Sequence, residues 1–231
     1  MNLDEYIQPQ HLTDEAIAQF KMINSEDYLN GIIIDDFIHT NIIESIQPVI
    51  YKEAKYKEYY RLYSKKRFVT EDEWYNADEK DRLFRLNYVC GVKPEFTDGN
   101  NWLTFTNLRR FFVKGFPVFF HTISGTSLTR TGVLTHAITH KDFLKVHSDV
   151  DKNRDLSTVF YLTLGWNPND GGSLHMLCRN NKEINKIDYV CNRLVIFTPS
   201  RNTNHYVGMH SDKSKDKVRV ALVTWYKLSD S

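Results

Sequence analysis

Residues 145–150 read KVHSDV and put an imidazole, His147, two positions ahead of a carboxylate, Asp149. On an extended strand such a pair points to one face, where it offers a nitrogen and an oxygen ligand to a single cation. The pair recurs by chance in many sequences, so its meaning depends on a third ligand from elsewhere in the chain. Two histidines follow at suitable distance, His205 and His210. His205 comes after an apolar run, RLVIFT, and a polar turn, PSRNTN, and it opens the short segment HYV. Two histidines and one carboxylate form the facial triad that holds non-haem iron(II) with positions left open, and catalytic zinc accepts the same set. His11, His39 and His121 lack cysteine or carboxylate companions at useful spacing.

A cation with a different role stands in KVRVALVTWY. Strand alternation puts Arg219 on one face with Ala221, Val223 and Trp225. A guanidinium among such neighbours needs a partner, either an internal carboxylate in a structural ion pair or the carboxylate of a bound molecule.

Strands must hold these residues. From about residue 102 the chain is a succession of short β-branched or aromatic runs: FFVKGFPVFF or part of it, GVLTHAIT, DFLKVHSD, STVFYLTLGW, GSLHMLC, DYVCNRLVIFT, HYVGMH and KVRVALVTWYKL. Turn signals such as NPNDGG separate several of them, a pattern that suggests a β-sandwich or jelly roll. Upstream, residues 13–20 read as a helix capped by Thr13 or Asp14, GIIIDDFI as a strand, and NIIESIQPVI as a helix capped by Thr40 and disturbed at Pro48. Residues 51–85 are dense in Lys, Glu and Tyr and read as solvent-facing helices, with Thr70 as a cap. The expected class is mainly β with N-terminal helices (α+β), as a single domain over 1–231. Residues 1–101 form a helical support and insertion, and 102–231 the core.

The 231 residues are 41% hydrophobic and 26% charged, enough apolar content for one full core. A formal net charge of +1 gives no footprint for duplex nucleic acid. Three cysteines without a CxxC pair fit a reducing compartment. The polar, acidic start MNLDEYIQPQHLTDE is unlike a secretory leader, and apolar runs such as 116–120 are too short to span a bilayer. A cytoplasmic protein without a membrane partner is the expectation.

The stretch from His147 onward resembles the catalytic core of the prolyl hydroxylase branch of the iron(II)/2-oxoglutarate oxygenases. It shows HSD at 147–149, Arg154, FYL at 160–162, Trp166, GGSL at 171–174, NRLVIF from Asn192, HYV from His205 and RVALVTWY from Arg219. The order and most of the gaps match over roughly the last hundred residues. The resemblance implies a double-stranded β-helix (jelly-roll, cupin-like) core, with Fe(2+) on His147, Asp149 and His205. It also implies 2-oxoglutarate with its distal carboxylate on Arg219 and a hydroxyl contact from Tyr161. The branch's tyrosine about ten residues before the HxD motif is absent. Ala137 stands near that place, and the neighbouring His136 is the substitute donor. Gly171 and Gly172 would make a structural turn. The gap from His205 to Arg219 is long, and His210 lies nearer to the usual spacing, but the unbroken match of NRLVIFTPSRNTNHYV favours His205.

The activity implied is an O2-consuming, ascorbate-supported dioxygenase that hydroxylates prolyl residues in a protein or peptide, releasing succinate and CO2. The alternatives are a 2-oxoglutarate dioxygenase of a free amino acid, a carbohydrate-linked group or a nucleobase, and a non-catalytic binding module.

Overall fold

The computed structural model describes residues 2–23, 25–65, 67–97 and 99–229. Two short helices, α1 (Asp14–Lys21) and α2 (Ser25–Asn30), precede strand β1 (Ile32–Ile34) and helix α3 (Thr40–Ser45). A hairpin follows, built from β2 (Ala54–Leu62), the short β3 (Phe68–Val69), helix α4 (Glu71–Tyr75) and β4 (Arg82–Val92). The long helix α5 (Asn100–Ser124) leads into the core strands β5 (Leu128–Ile138), β6 (Phe143–His147), β7 (Leu156–Tyr161) and β8 (Leu174–Cys178). β9 (Glu183–Ile187), β10 (Leu194–Phe197), β11 (Thr203–Val207) and β12 (Arg219–Leu228) complete the chain.

All the pairings are antiparallel, in the order β1-β10-β7-β12-β5-β4-β6-β11-β8-β9, with β2 joined to β4 and β3 to β2. β4 touches both β5 and β6, so the sheet curls there and its two halves face each other. This is the double-stranded β-helix expected of the core. No helix among the described residues is long and apolar enough to cross a membrane.

The central strands are buried on both sides, which is why they read as near-continuous apolar runs. On β7, Phe160 faces α5 while Val159 and Tyr161 face the interior of the curl. On β12, Val220 and Leu222 face α5 while Ala221 and Val223 face inward. The outer layer is closed by α5, whose Phe105, Leu108, Phe112, Phe116, Phe119 and Ile123 recur at helical spacing and are all at most 2% exposed. Each such side chain contributes about 1.5–3 kcal/mol of transfer free energy.

Asn192 joins β1's flank to this core. Its φ of 64° lies in the left-handed region, which Asn tolerates. From there Oδ1 accepts from Ile38 N at 2.9 Å and Nδ2 donates to Ile38 O at 2.7 Å. The next residue, Arg193, grips Asp35 through two bonds of 2.6 and 2.8 Å.

Three expectations are corrected. Residues 51–85 end a short helical turn (Val49–Glu53) and then form an antiparallel hairpin carrying the short helix α4, because β2 and β4 pair along almost their whole lengths. Their dense Lys, Glu and Tyr content suits a strand whose outer side is solvated. The run FFVKGFPVFF is helical, part of α5, and Pro117 is carried inside the helix by packing on both sides of it. Thr40 is the first residue of α3 and not its cap; His39 holds the cap position without a side-chain bond. Thr13 and Thr70 do cap their helices, Thr70 in a reciprocal box with Glu73.

Candidate active site

β6 and β11 set the two histidines opposite each other. His147 pairs directly with His205, and Leu144 pairs with Val207, so three residues on β6 span the length of two on β11. That bulge reverses the parity of β6 between Leu144 and His147, and both line one cavity. Asp149 lies just past the end of β6 and turns back onto the pair. Its carboxylate oxygens are 3.8 Å from His147 Nε2 and 3.8 Å from His205 Nε2. One ligand atom from each of the three lies within 4.8 Å of the others.

Their surroundings fix the donor atoms. The Nδ1 of His147 is 2.9 Å from the Lys145 carbonyl, a contact that takes the ring proton and turns the Nε2 lone pair to the site. Burial, and then the charge of His147, pushes His205 down to about 3, so its ring is neutral. Burial alone would raise Asp149, but His205, His147, the Trp225 indole and Arg154 together hold it below the usual carboxylate range. The indole Nε1 donates to Asp149 Oδ2 at 2.9 Å, and Arg154 Nη1 is 3.6 Å from Oδ1 while its guanidinium lies 4.2 Å above the Trp225 ring. One carboxylate and two imidazole nitrogens converging on one point are a donor set suited to a divalent cation such as iron(II).

The cavity beside this trio holds about 280 Å³, and Arg219 is on its wall. Arg219 is 1% exposed. Nε donates to the Gly172 carbonyl at 2.8 Å, Nη1 has no partner, and no carboxylate among the described residues pairs with it. The rings of Tyr189 and Tyr161 flank the guanidinium at 4.8 and 5.0 Å. A buried cation with an unused donor is costly on its own, and a bound carboxylate would remove that cost. His136 is on the same wall, between Tyr88 on β4 and Ala221 on β12. Its Nε2 is buried and unpartnered, and burial beside Arg219 pushes its pKa to about 3, so it stays neutral. These orphaned polar atoms fit a dicarboxylate reaching from the His147–Asp149–His205 trio to Arg219.

Tyr161 lies behind Arg219, fully buried and stacked on Tyr189 at 4.4 Å, with its hydroxyl unpartnered; it is not part of the cavity wall. His210 lies apart from the trio, packed edge-on against Trp166 at 4.9 Å. Gly172, at φ 75°, is glycine for a steric reason, since a Cβ there would come within 2.9 Å of Arg219 Cδ and 3.2 Å of His210 Nε2.

Sequence reasoning missed Trp225 as a donor to Asp149, and it missed the wall supplied by β2 to β4, where Arg61, Phe68, Phe84 and Tyr88 face the cavity. The signal for Trp225 was present in its shared face with Arg219. The signal for the hairpin was the alternation Phe84, Leu86, Tyr88.

Residues 127–227 match the model of the 2OG-Fe(II) oxygenase superfamily. Among solved structures, a prolyl hydroxylase from Trichoplax adhaerens, in complex with a hypoxia inducible factor oxygen degradation domain peptide fragment, is similar with a TM-score of 0.62 and 18% identity, covering 97% of this chain and 95% of that one. A 2OG-Fe(II) oxygenase family oxidoreductase from Burkholderia pseudomallei aligns with a TM-score of 0.59 and 13% identity, covering 93% and 92%. A prolyl-4-hydroxylase from Pseudomonas putida aligns at 0.52 and 16%, covering 88% and 96%. No curated protein matches the chain. At these identities the structural likeness speaks to fold, and the family model speaks to the catalytic core. Residues 127–227 carry the match to the 2OG-Fe(II) oxygenase superfamily, and the chain is similar in fold to prolyl hydroxylases.

Proposed function

We propose that the protein is an iron(II)/2-oxoglutarate-dependent dioxygenase that hydroxylates prolyl residues in a protein or peptide, with residues 1–231 acting as one catalytic domain. The observation that carries the cosubstrate assignment is Arg219, a buried guanidinium with an unused Nη1 on the wall of the cavity that the His147–Asp149–His205 trio closes. When bound, iron(II), 2-oxoglutarate and O2 supply the oxidising chemistry, in which one oxygen atom enters the substrate C–H bond and the cosubstrate leaves as succinate and CO2.

The chain's own residues bind and orient. His147 and His205 present neutral nitrogens and Asp149 a charged oxygen, so the site carries one negative charge toward the cation. Trp225 and Arg154 hold the Asp149 carboxylate in place. Arg219 takes the distal carboxylate of the cosubstrate and His136 offers a neutral ring nitrogen beside it, an arrangement that fixes the length and direction of the dicarboxylate. Leu134, Leu144, Val159 and Val223 line the space between and limit water. Ascorbate supports turnover by keeping the iron reduced.

The prolyl reading is supported by the match of motifs from His147 to Tyr226 and by the fold shared with prolyl hydroxylases. It is tested by incubating the protein with iron(II), ascorbate and 2-oxoglutarate, with and without proline-containing peptides. The expected result is peptide-stimulated succinate release with a gain of one oxygen on proline by mass spectrometry. Stimulation only by free amino acids, glycans or nucleosides would overturn the prolyl assignment and leave the dioxygenase assignment standing.

A further inference from the structure

One row of side chains crosses the floor of the cavity. Phe68 on β3 pairs with Arg61 on β2, Arg61 with Phe84 on β4, Phe84 with Leu144 on β6, Leu144 with Val207 on β11, and Val207 with Leu174 on β8. All six line the cavity, and Arg61 is the one polar member. It has no hydrogen bond and no ion pair among the described residues. Every other arginine on the cavity wall is engaged: Arg154 with Asp149 and the Trp225 ring, Arg219 with the Gly172 carbonyl and two tyrosine rings.

A cluster of aromatic rings stands on the same hairpin as Arg61, with Phe68 its cross-strand partner. Tyr59 and Tyr88 are 4.7 Å apart, Tyr59 and Phe68 4.9 Å, and Phe68 and Tyr88 6.0 Å. Phe68 is 45% exposed, so this shelf is open to an incoming chain at the mouth. The hairpin is also fastened beside the metal ligands: Tyr63 Oη donates to the Val146 carbonyl at 2.6 Å, next to His147, and Lys145 Nζ reaches Glu79 O at 2.7 Å.

We infer that Arg61 selects the substrate by charge, pairing with an Asp or Glu side chain of the polypeptide near the residue that is oxidised. This rests on the polypeptide-substrate reading above. A guanidinium held on an apolar, aromatic surface binds a carboxylate in two parallel hydrogen bonds, and the low-dielectric surroundings strengthen the pair. The flanking rings take the aliphatic part of the same segment.

The sheet geometry sets the spacing. Arg61 is two strands from Leu144, about 4.8 Å each, and Leu144 is three residues from His147, about 3.3 Å each. The Cα atoms of Arg61 and His147 are therefore roughly 14 Å apart. With both side chains reaching inward, an extended peptide places the acid about two to four residues from the reactive one.

The test is fluorescence anisotropy under anaerobic conditions with the manganese- and 2-oxoglutarate-loaded protein. The probes are short fluorescein-labelled peptides, acetylated and amidated, with one proline and a single Glu, Gln or Lys moved along the flanks. Glu at the right offset should bind about tenfold or more tighter than Gln, and Arg61→Gln should erase that difference. Arg61→Glu should transfer the preference to the Lys peptides, an outcome that a misfolded variant cannot produce. A neutral peptide with a free C-terminus distinguishes a terminal carboxylate from a side chain. Equal binding of Glu and Gln peptides, a preference untouched by Arg61→Gln, or tight binding that needs only the terminal carboxylate would each overturn the inference. Peptide binding is read here without turnover, so a failure of hydroxylation chemistry shows separately, as absent succinate release in the assay above.

Discussion

His147 and His205 face each other across two neighbouring antiparallel strands with ring centroids 4.2 Å apart, and Asp149 lies 3.8 Å from each. His210 has no place in that arrangement. Replacement of His205 by Ala should abolish saturable iron(II) binding and all iron-dependent 2-oxoglutarate turnover, whereas His210→Ala should keep most of both. Metal titration followed by turnover assay compares them, and loss of metal binding in the His210 variant alone would transfer the ligand role to it.

Trp225 holds Asp149, a proposed metal ligand, through its indole N–H. Trp225→Phe keeps a ring under Arg154 and removes only that donor. Iron(II) affinity should fall about 10- to 100-fold, the range for lost partners of metal ligands. An affinity equal to wild type would mean that the carboxylate is oriented by Arg154 alone.

The metal-free protein should lose stability in mild acid. Burial first, then neighbouring charges, hold His136 and His205 at about 3 and His210 at about 4. Unfolded histidine titrates near about 6.5, so as pH falls from there toward 4 the unfolded chain takes up protons that the folded one refuses. Each such proton tilts stability by about 1.4 kcal/mol per pH unit, with stability falling as pH falls. Urea midpoints across this range for wild type and His210→Asn should show a flatter slope in the variant; parallel curves would mean that His210 titrates normally in the fold.

Asn192 accepts from and donates to the backbone of Ile38 while sitting at positive φ. Asn192→Ala leaves a buried N–H and C=O without partners and puts alanine in the left-handed region. A loss of about 2–4 kcal/mol in urea unfolding is expected. A loss below about 1 kcal/mol would indicate that water takes over both bonds.

The convergence of His147 with Asp149 and the inward face of β12 were legible because chemistry and strand alternation coincide there. Parity alone, however, would have separated Leu144 from His147, and only the bulge against β11 brings both into the cavity. FFVKGFPVFF misled because its outward positions include Val113, Pro117 and Val118, which leaves Lys114 as the one charged mark of the exposed face, and its proline argued further against a helix. The 51–85 segment misled in the opposite sense. Its charges suggest a solvated helix, but the register that makes it a hairpin is fixed by partners on β4 and is not local. Gly172 was legible as a turn, and its contact with Arg219 was not, since nothing in the sequence brings residues 172 and 219 together.

The most direct measurement is an anaerobic titration of the iron(II)-loaded protein with 2-oxoglutarate, comparing wild type with Arg219→Ala. Wild type should bind one cosubstrate per chain saturably, and the variant should bind about 100-fold or more weakly with its iron(II) affinity retained. Equal 2-oxoglutarate affinity in the two proteins would contradict the assignment of Arg219 and, with it, the reading of this cavity as a 2-oxoglutarate site.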